Sequence, residues 1–339
     1  MANSTIHTKV AVFGAGRWGM HLVRNFQQHP QAEVVAVCDP NPETLAALNK
    51  QLTLPPTTLL TDKWQRALEQ PELEAVVIAT PACTHFKLVQ AALQQGLHVL
   101  VEKPLTLTVL EAQALCQLAQ QQQRQLVVDH TYLFNPAVWA VAEQVQAGAI
   151  GKLRYGYAAR THLGPVRQDV DALWDLAIHD LAMFNLWTGS EPVHVQAMGN
   201  RWLQAGQADL VWARLAYPSG FEATLHLCWC NPDKQRRSTV VGSQGAIVFE
   251  ELRLDQPVTL YSGAFEQRAS QFLPQGQATQ AIPVPAAEPL AHVCDHFLAC
   301  VHSNQPSTVS SGRVGAELVK VLVALSRALE AGTWIEVEA

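Results

Sequence analysis

The sequence predicts an α/β protein: an N-terminal doubly wound parallel sheet of Rossmann type, then an α+β domain on a large, open, mostly antiparallel sheet. Three observations predict this. A β-branched apolar run leads through Gly14, Gly16 and Gly19, at G-x-G-x-x-G spacing, into a helical pattern (VAVFGAGRWGMHLVRNF from Val10). Strand-like and helix-like patterns alternate up to residue 130, as parallel sheets with crossover helices do. From Gly151 onward strand follows strand, which suits antiparallel pairing.

The elements follow in order. Strands are expected at 9–13 and 33–38, a helix at 42–51, a weak strand at 57–60, and a helix from Asp62 to about residue 70. The run AVVIA at 75–79 reads as a buried strand. A helix at 85–95 ends at Gly96 and is followed by a strand at 98–101. A long helix at 108–123 and a strand at 126–128 complete the first domain, 1–130. Asn135 and Pro136 then read as the cap and first position of a helix reaching Gly148. In the second domain, 131–339, strands are expected at 153–161, 193–202, 210–217, 222–230, 237–241 and 246–250, with one helix at 172–188. The stretch 270–289, rich in Pro, Gln and Ala, reads as a loop, and helices at 290–303 and 314–331 end the chain.

The chain has 339 residues, 48% hydrophobic and 15% charged, with a net charge of −6 and no basic block. That composition is globular and argues against nucleic acid as the main partner. No apolar run approaches the roughly 20 residues that span a bilayer. The start, MANSTIHTKV, has no basic segment leading into an apolar core, so no signal peptide is read and a cytoplasmic protein is expected, without a membrane partner. Seven cysteines are scattered through the chain, which suits reduced thiols. Cys228 and Cys230 are two apart on an expected strand and share a face. Without two further ligands they read as core thiols, and no metal is expected.

In the glycine motif, Gly14 allows the tight turn and Gly16 lets the backbone approach a pyrophosphate. Gly19 lets the helix pack close to the sheet, and Arg17 and Trp18 lie in the same loop. Twenty residues past Gly19 stands Asp39, at the end of the second strand. A carboxylate there accepts from ribose hydroxyls and repels a 2′-phosphate, so NAD is favoured over NADP. The bland reading, a glycine turn with an ordinary loop acid, explains less of the pattern.

Three further stretches fall at strand ends, where open parallel sheets bind ligands. VEKPLTL delivers Glu102 and Lys103, with Pro104 fixing the turn; the rival reading is a surface lysine. ATPACTHF puts Thr80 and Pro81 on the nicotinamide side, and His85 there is read as a cofactor contact that caps or packs on the next helix sooner than it takes part in catalysis. LWDLAIHDLAMF places Asp175 and His179 four apart on one helix face. Lys103, Asp175 and His179 make a plausible set for alcohol oxidation. His179 serves as general base, Lys103 stabilises developing alkoxide charge, and Asp175 orients the hydroxyl or the imidazole. A core histidine is the competing reading for His179. DHTYLFNP holds His130, Tyr132 and Asn135, which could contact substrate or simply pack and cap. Arg160, His162 and Arg167, before the catalytic helix, could read a diphosphate or carboxylate or lie in a solvated loop.

Taken together, GAGRWG, Asp39, ATPACTHF, VEKP, HTYLFNP and WDLAIHD resemble the Gfo/Idh/MocA oxidoreductases over essentially the whole chain. The resemblance implies an N-terminal NAD(P)-binding Rossmann domain and a C-terminal open sheet that makes subunit contacts in a homodimer or homotetramer. It carries the family's lysine onto Lys103 and its aspartate and histidine onto Asp175 and His179. It also implies sugars, inositols or nucleotide sugars as substrates. The forms W-G, N-P-A-V and L-W-D-L-A-x-H-D look most like dehydrogenases acting at C3 of UDP-N-acetylglucosamine or its uronic acid. Ala177 stands where the family usually has glycine. Two other readings remain: a dehydrogenase of a free sugar or inositol-type polyol, and a non-catalytic NAD-bound sensor or scaffold.

Overall fold

TKVAVF forms β1 (Thr8–Phe13), buried almost throughout, and turns at the glycines into α1 (Arg17–Gln28). β2 (Ala32–Cys38) follows, then α2 (Pro42–Leu52), which Asn41 caps through its side chain with Pro42 at the first position. β3 (Leu59–Thr61), α3 (Trp64–Leu68), β4 (Ala75–Ile78), α4 (His85–Gln94), β5 (His98–Glu102), α5 (Val109–Gln121) and β6 (Leu126–Asp129) complete the alternation. The strands lie in the order β3-β2-β1-β4-β5-β6, all parallel, and the order reverses between β1 and β4. That reversal is the crevice where doubly wound sheets bind dinucleotides.

The computed structural model describes residues 7–338. They divide into two compact units, one holding the chain up to Thr131 together with Glu288–Val319, the other Tyr132–Ala287 and the chain from Lys320. The sequence reading places one break near residue 130; the structure also returns 288–319 to the first unit.

The second unit holds α6 (Pro136–Gln146), β7 (Leu153–Leu163) and a π-helical turn, Leu173–Ala177, that runs into α7 (Ile178–Thr188). Then come β8 (His194–Asn200), β9 (Leu210–Ala216), β10 (Glu222–Cys228), β11 (Cys230–Gly242), β12 (Gly245–Glu250), β13 (Val258–Arg268) and β14 (Gln271–Ala281). α8 (Pro289–Ser303) belongs to the first unit, α9 (Gly312–Ala331) contains the division between the units, and β15 (Ile335–Glu336) closes the chain. The nine-stranded sheet runs β14-β13-β12-β11-β7-β10-β9-β8-β15, antiparallel except for β7 with β10. Helices lie against one face. There Gly156 of β7 admits the Phe184 ring, since a Cβ at that position would come within 2.6 Å of it. The other face exposes Tyr155, Tyr157, Met198 and Trp212, with Trp212 stacked on His226 at 3.9 Å.

β14 corrects the expected loop at 270–289. It is the edge strand, exposed along nearly its whole length, and it is held by backbone pairing to β13. A strand exposed on both faces carries no apolar alternation, and an edge tolerates Pro274, so the sequence showed no strand signal.

In the first unit α8 packs on α1, where Phe26 meets Phe297 edge-on at 6.3 Å, and Arg24 pairs with Glu288. The segment before α9 covers the β6 edge, where Val128 N–H donates to the Ser310 carbonyl and the Ser310 hydroxyl donates to the Val128 carbonyl. Among the described residues no helix is long and apolar enough to cross a membrane.

Candidate active site

In the first unit the glycine loop is built by close approach. Gly14 has φ +92°, and a Cβ there would lie 2.3 Å from the Ala79 carbonyl oxygen; one on Gly19 would lie 1.9 Å from that of Gly14. Gly16 faces open space instead, and it starts α1 with no side-chain cap. The first-turn amides and the helix dipole are thus left for an anion. Asp39 is tied to the loop: Oδ2 accepts from Ala15 N at 2.8 Å, and Oδ1 from Asn41 N at 2.9 Å. Arg17 and Trp18 stand exposed beside the helix start. An uncapped helix start, room at Gly16 and a carboxylate closing the second strand fit a dinucleotide without a 2′-phosphate.

Thr80 and Pro81 follow β4, as expected. The Thr80 hydroxyl meets that of Thr84 at 2.7 Å, and Thr84 donates to the Pro81 carbonyl. His85 departs from the expected cofactor contact. It is buried, with Nδ1 2.8 Å from the Pro104 carbonyl and Nε2 2.9 Å from the Thr80 carbonyl. The ring joins the loop after β4 to the loop after β5 and so positions both.

Glu102 and Lys103 leave the carboxyl end of β5, and the Lys103–Pro104 peptide is cis. Glu102 lies in register with Asp129 of β6. Beside Asp129, His130 is buried and neutral, its pKa pushed down to about 3 by burial and by the nearby Lys103 charge.

In the second unit Asp175 sits in the π-helical turn and His179 in the first turn of α7. Such a turn inside a helix often marks a functional position. Arg167 Nη1 donates to Asp175 Oδ1 at 3.2 Å, and Trp229 Nε1 to Oδ2 at 3.3 Å, so both carboxylate oxygens are aimed. The other guanidinium edge of Arg167 is bidentate on Asp169, at 2.9 and 2.6 Å. Arg167, expected as a substrate reader, is thus paired with two carboxylates and orients Asp175.

Tyr132 packs its ring 4.8 Å from that of His179. Its hydroxyl accepts from Arg160 Nη1 at 2.6 Å and donates to Glu251, and burial keeps the phenol protonated. Arg160, also read as a substrate contact, is 3% exposed and bidentate on Asp180 at 2.9 and 3.0 Å. It is a buried ion pair that holds Tyr132, not a free anion reader. Asn135 caps α6, its Oδ1 accepting from Ala137 N at 2.9 Å. His162 lies 3.3 Å from Arg236, which with burial holds its pKa below the ordinary value.

Sequence reasoning missed Asp129, Asp180, Trp229, Arg236 and Glu251. Asp180 was within reach, directly after His179. Asp129 stands at the head of the DHTYLFNP stretch, and Trp229, Arg236 and Glu251 lie far along the chain from their partners and carry no local pattern.

Two family models match: an oxidoreductase family with an NAD-binding Rossmann fold over residues 8–130, and the Gfo/Idh/MocA C-terminal domain over residues 138–248. The UDP-N-acetylglucosamine 3-dehydrogenase of Acidithiobacillus ferrooxidans is 28% identical over 96% of this chain and 99% of its own length. Its structure superposes with a TM-score of 0.81, covering 96% of this chain and 98% of that one at 26% identity. A structure assigned to the oxidoreductases from Magnetospirillum magnetotacticum gives 0.80 at 33% identity, covering 94% of this chain and 99% of that one. The scyllo-inositol 2-dehydrogenase of Bacillus subtilis is 28% identical over 75% of this chain and 77% of its own. With the strand order, glycine loop and Asp39 in place, the chain belongs to the Gfo/Idh/MocA oxidoreductases, NAD-binding dehydrogenases that act on CH–OH groups.

Proposed function

We propose that this dehydrogenase oxidises C3 of a UDP-N-acetyl amino sugar. The observation that carries the reading is the match to the Acidithiobacillus ferrooxidans 3-dehydrogenase, which runs nearly end to end in both chains. Bound NAD supplies the hydride acceptor. His179 takes the hydroxyl proton on its imidazole, since an imidazole titrates near neutrality. Lys103 Nζ donates a hydrogen bond to the reacting oxygen and stabilises its developing charge. Asp175, aimed by Arg167 and Trp229, orients the hydroxyl or the imidazole. Tyr132 limits the tilt of the His179 ring by contact. Gly14, Gly16, Arg17, Trp18, Gly19, Asp39, Thr80, Pro81 and Glu102 line the cofactor side.

A second reading, oxidation of a free sugar or cyclic polyol, is favoured by the Bacillus subtilis relative, which is equally identical over a shorter span. The exposed aromatic row on the second unit's sheet, Tyr155, Tyr157 and Trp212, supports a homodimer or homotetramer, and light scattering of the purified chain tests it.

The test of substrate is the appearance of reduced-nicotinamide absorbance with NAD and UDP-N-acetylglucosamine, its uronic acid, myo-inositol or glucose, each with and without 2-oxoglutarate. Reduction with a UDP-sugar supports the proposal, and reduction only with inositol or glucose replaces it. If Lys103→Ala and His179→Ala bind NAD normally and lose turnover, the sensor reading fails. Turnover equal to the parent enzyme would overturn the catalytic roles.

A further inference from the structure

Glu102 and Asp129 are Cα partners at the carboxyl ends of the adjacent parallel strands β5 and β6. Partners in register on parallel strands point to the same side, about 4.8 Å apart. The two carboxyls are therefore neighbours. Asp129 is fully buried; its Oδ1 accepts from Thr131 Oγ1 at 2.7 Å, and its Oδ2 is buried without any N–H or hydroxyl donor. A buried carboxylate oxygen with no such donor is costly unless the neighbouring acid supplies the proton.

We propose that Glu102 and Asp129 share one proton across the β5–β6 register, making Asp129 a positioning residue that leaves a single negative charge beside Lys103. Two like charges this close in a buried site do not both ionise readily. Burial, then the charge of Asp129, pushes the Glu102 carboxyl up, and burial pushes Asp129 up as well. The surrounding groups agree. Lys103 follows Glu102 directly. His130 Nδ1 faces Ser310 Oγ at 2.8 Å, and Ser310 Oγ itself donates to the Val128 carbonyl at 2.7 Å. The hydroxyl therefore accepts from Nδ1–H, and the ring is neutral. Cys294 of α8 is held as a thiol by burial and by the Asp129 charge. The cluster thus comprises one carboxylate charge, one shared proton and one ammonium, with neutral His130 and Cys294 around them.

The pair itself lies wholly within the first unit. Its consequence for Lys103 rests on the role proposed above, so two readouts are used. The first is infrared difference spectroscopy on the whole protein near neutral pH, with and without NAD. A protonated-carboxyl C=O band is expected in the parent and should vanish in both Glu102→Gln and Asp129→Asn. No band in the parent, or a band that survives both substitutions, overturns the pair. Should one variant fail to fold, the other carries the test.

The second readout is the pH profile of kcat/KM. In the parent, loss of the shared proton adds a second negative charge beside Lys103 at alkaline pH. In Asp129→Asn the remaining acid, Glu102, carries at most one negative charge, so no second charge can form beside Lys103 and that limb should disappear from the profile. Asp129→Glu should restore it. A profile unchanged in shape, with only its height reduced, would reduce Asp129 to a packing role. Because the infrared band does not depend on turnover, a failed substrate assignment would leave it intact.

Discussion

The two units hold their functional groups by different physics. In the first, backbone topology delivers them: Gly14, Asp39, Thr80 and Lys103 all stand at or just beyond the carboxyl ends of parallel strands, so the strand order that builds the core also builds the crevice. In the second, side chains distant in sequence fix the site. Arg160 of β7 is paired to Asp180 of α7, Tyr132 is bonded to Glu251, and Asp175 is held by Arg167 and Trp229. A site set by topology tolerates change wherever no backbone closes on it. A site set by buried ion pairs fails when one partner is removed.

The largest effect separating the two should come from Arg160→Met. It leaves Asp180 buried with Ser238 as its one remaining side-chain donor among the described residues, and removing one partner of a buried pair costs about 3–5 kcal/mol. Denaturant unfolding should show that loss, with much of it recovered in the double variant Arg160→Met/Asp180→Leu. A cost below about 1 kcal/mol would mean that the second unit is not organised around this pair.

The glycine loop offers the matching test in the first unit. Gly19→Ala forces a methyl group against the Gly14 carbonyl and should cost about 1–3 kcal/mol or more. Gly16→Ala meets nothing and should leave the unfolding midpoint in place while NAD affinity, followed by titration, falls. Equal destabilisation by the two would contradict the close-approach account.

Next in size is an acid sensitivity of the first unit. His98 Nδ1 accepts from Gln125 N at 3.0 Å, and burial, with Arg124, pushes its pKa down to about 4. The unfolded imidazole takes its proton near 6.5 and the folded one does not. The penalty is therefore absent above that pH and grows as the pH falls toward 4, reaching about 2 kcal/mol at pH 5. His130 acts in the same direction. In His98→Asn, whose amide oxygen can accept from Gln125, the loss of stability between pH 7 and 5 should be visibly shallower. An identical slope would exclude His98 as a cause.

The smallest effect expected is that of Arg167→Ala. With Asp175 aimed from one side only, kcat should fall about tenfold with little change in KM. A rise in KM confined to nucleotide substrates would instead restore Arg167 as an anion reader.

Much of this was legible in the sequence because it is written in short-range pattern. The alternation up to residue 130, the strand ends carrying Asp39 and Lys103, and the cap at Asn135 each need only a few neighbouring residues. β14 was invisible because an edge strand exposed on both faces has no apolar period. The aspartate partners of Arg160 and Arg167 were not legible because an arginine in a polar stretch looks the same whether its partner is solvent, substrate or an aspartate elsewhere in the fold.

By itself, then, the sequence determined the parallel sheet and the dinucleotide loop with its ribose-side acid, since hydrophobic period and turn chemistry act between near neighbours. Only the tertiary structure decided which charges are already spent. It buried Arg160 and His85, paired Arg167 with Asp169 and Asp175, brought Asp129 beside Glu102, and returned 288–319 to the first unit. Burial and pairing depend on which distant residues meet, and no local pattern encodes that meeting.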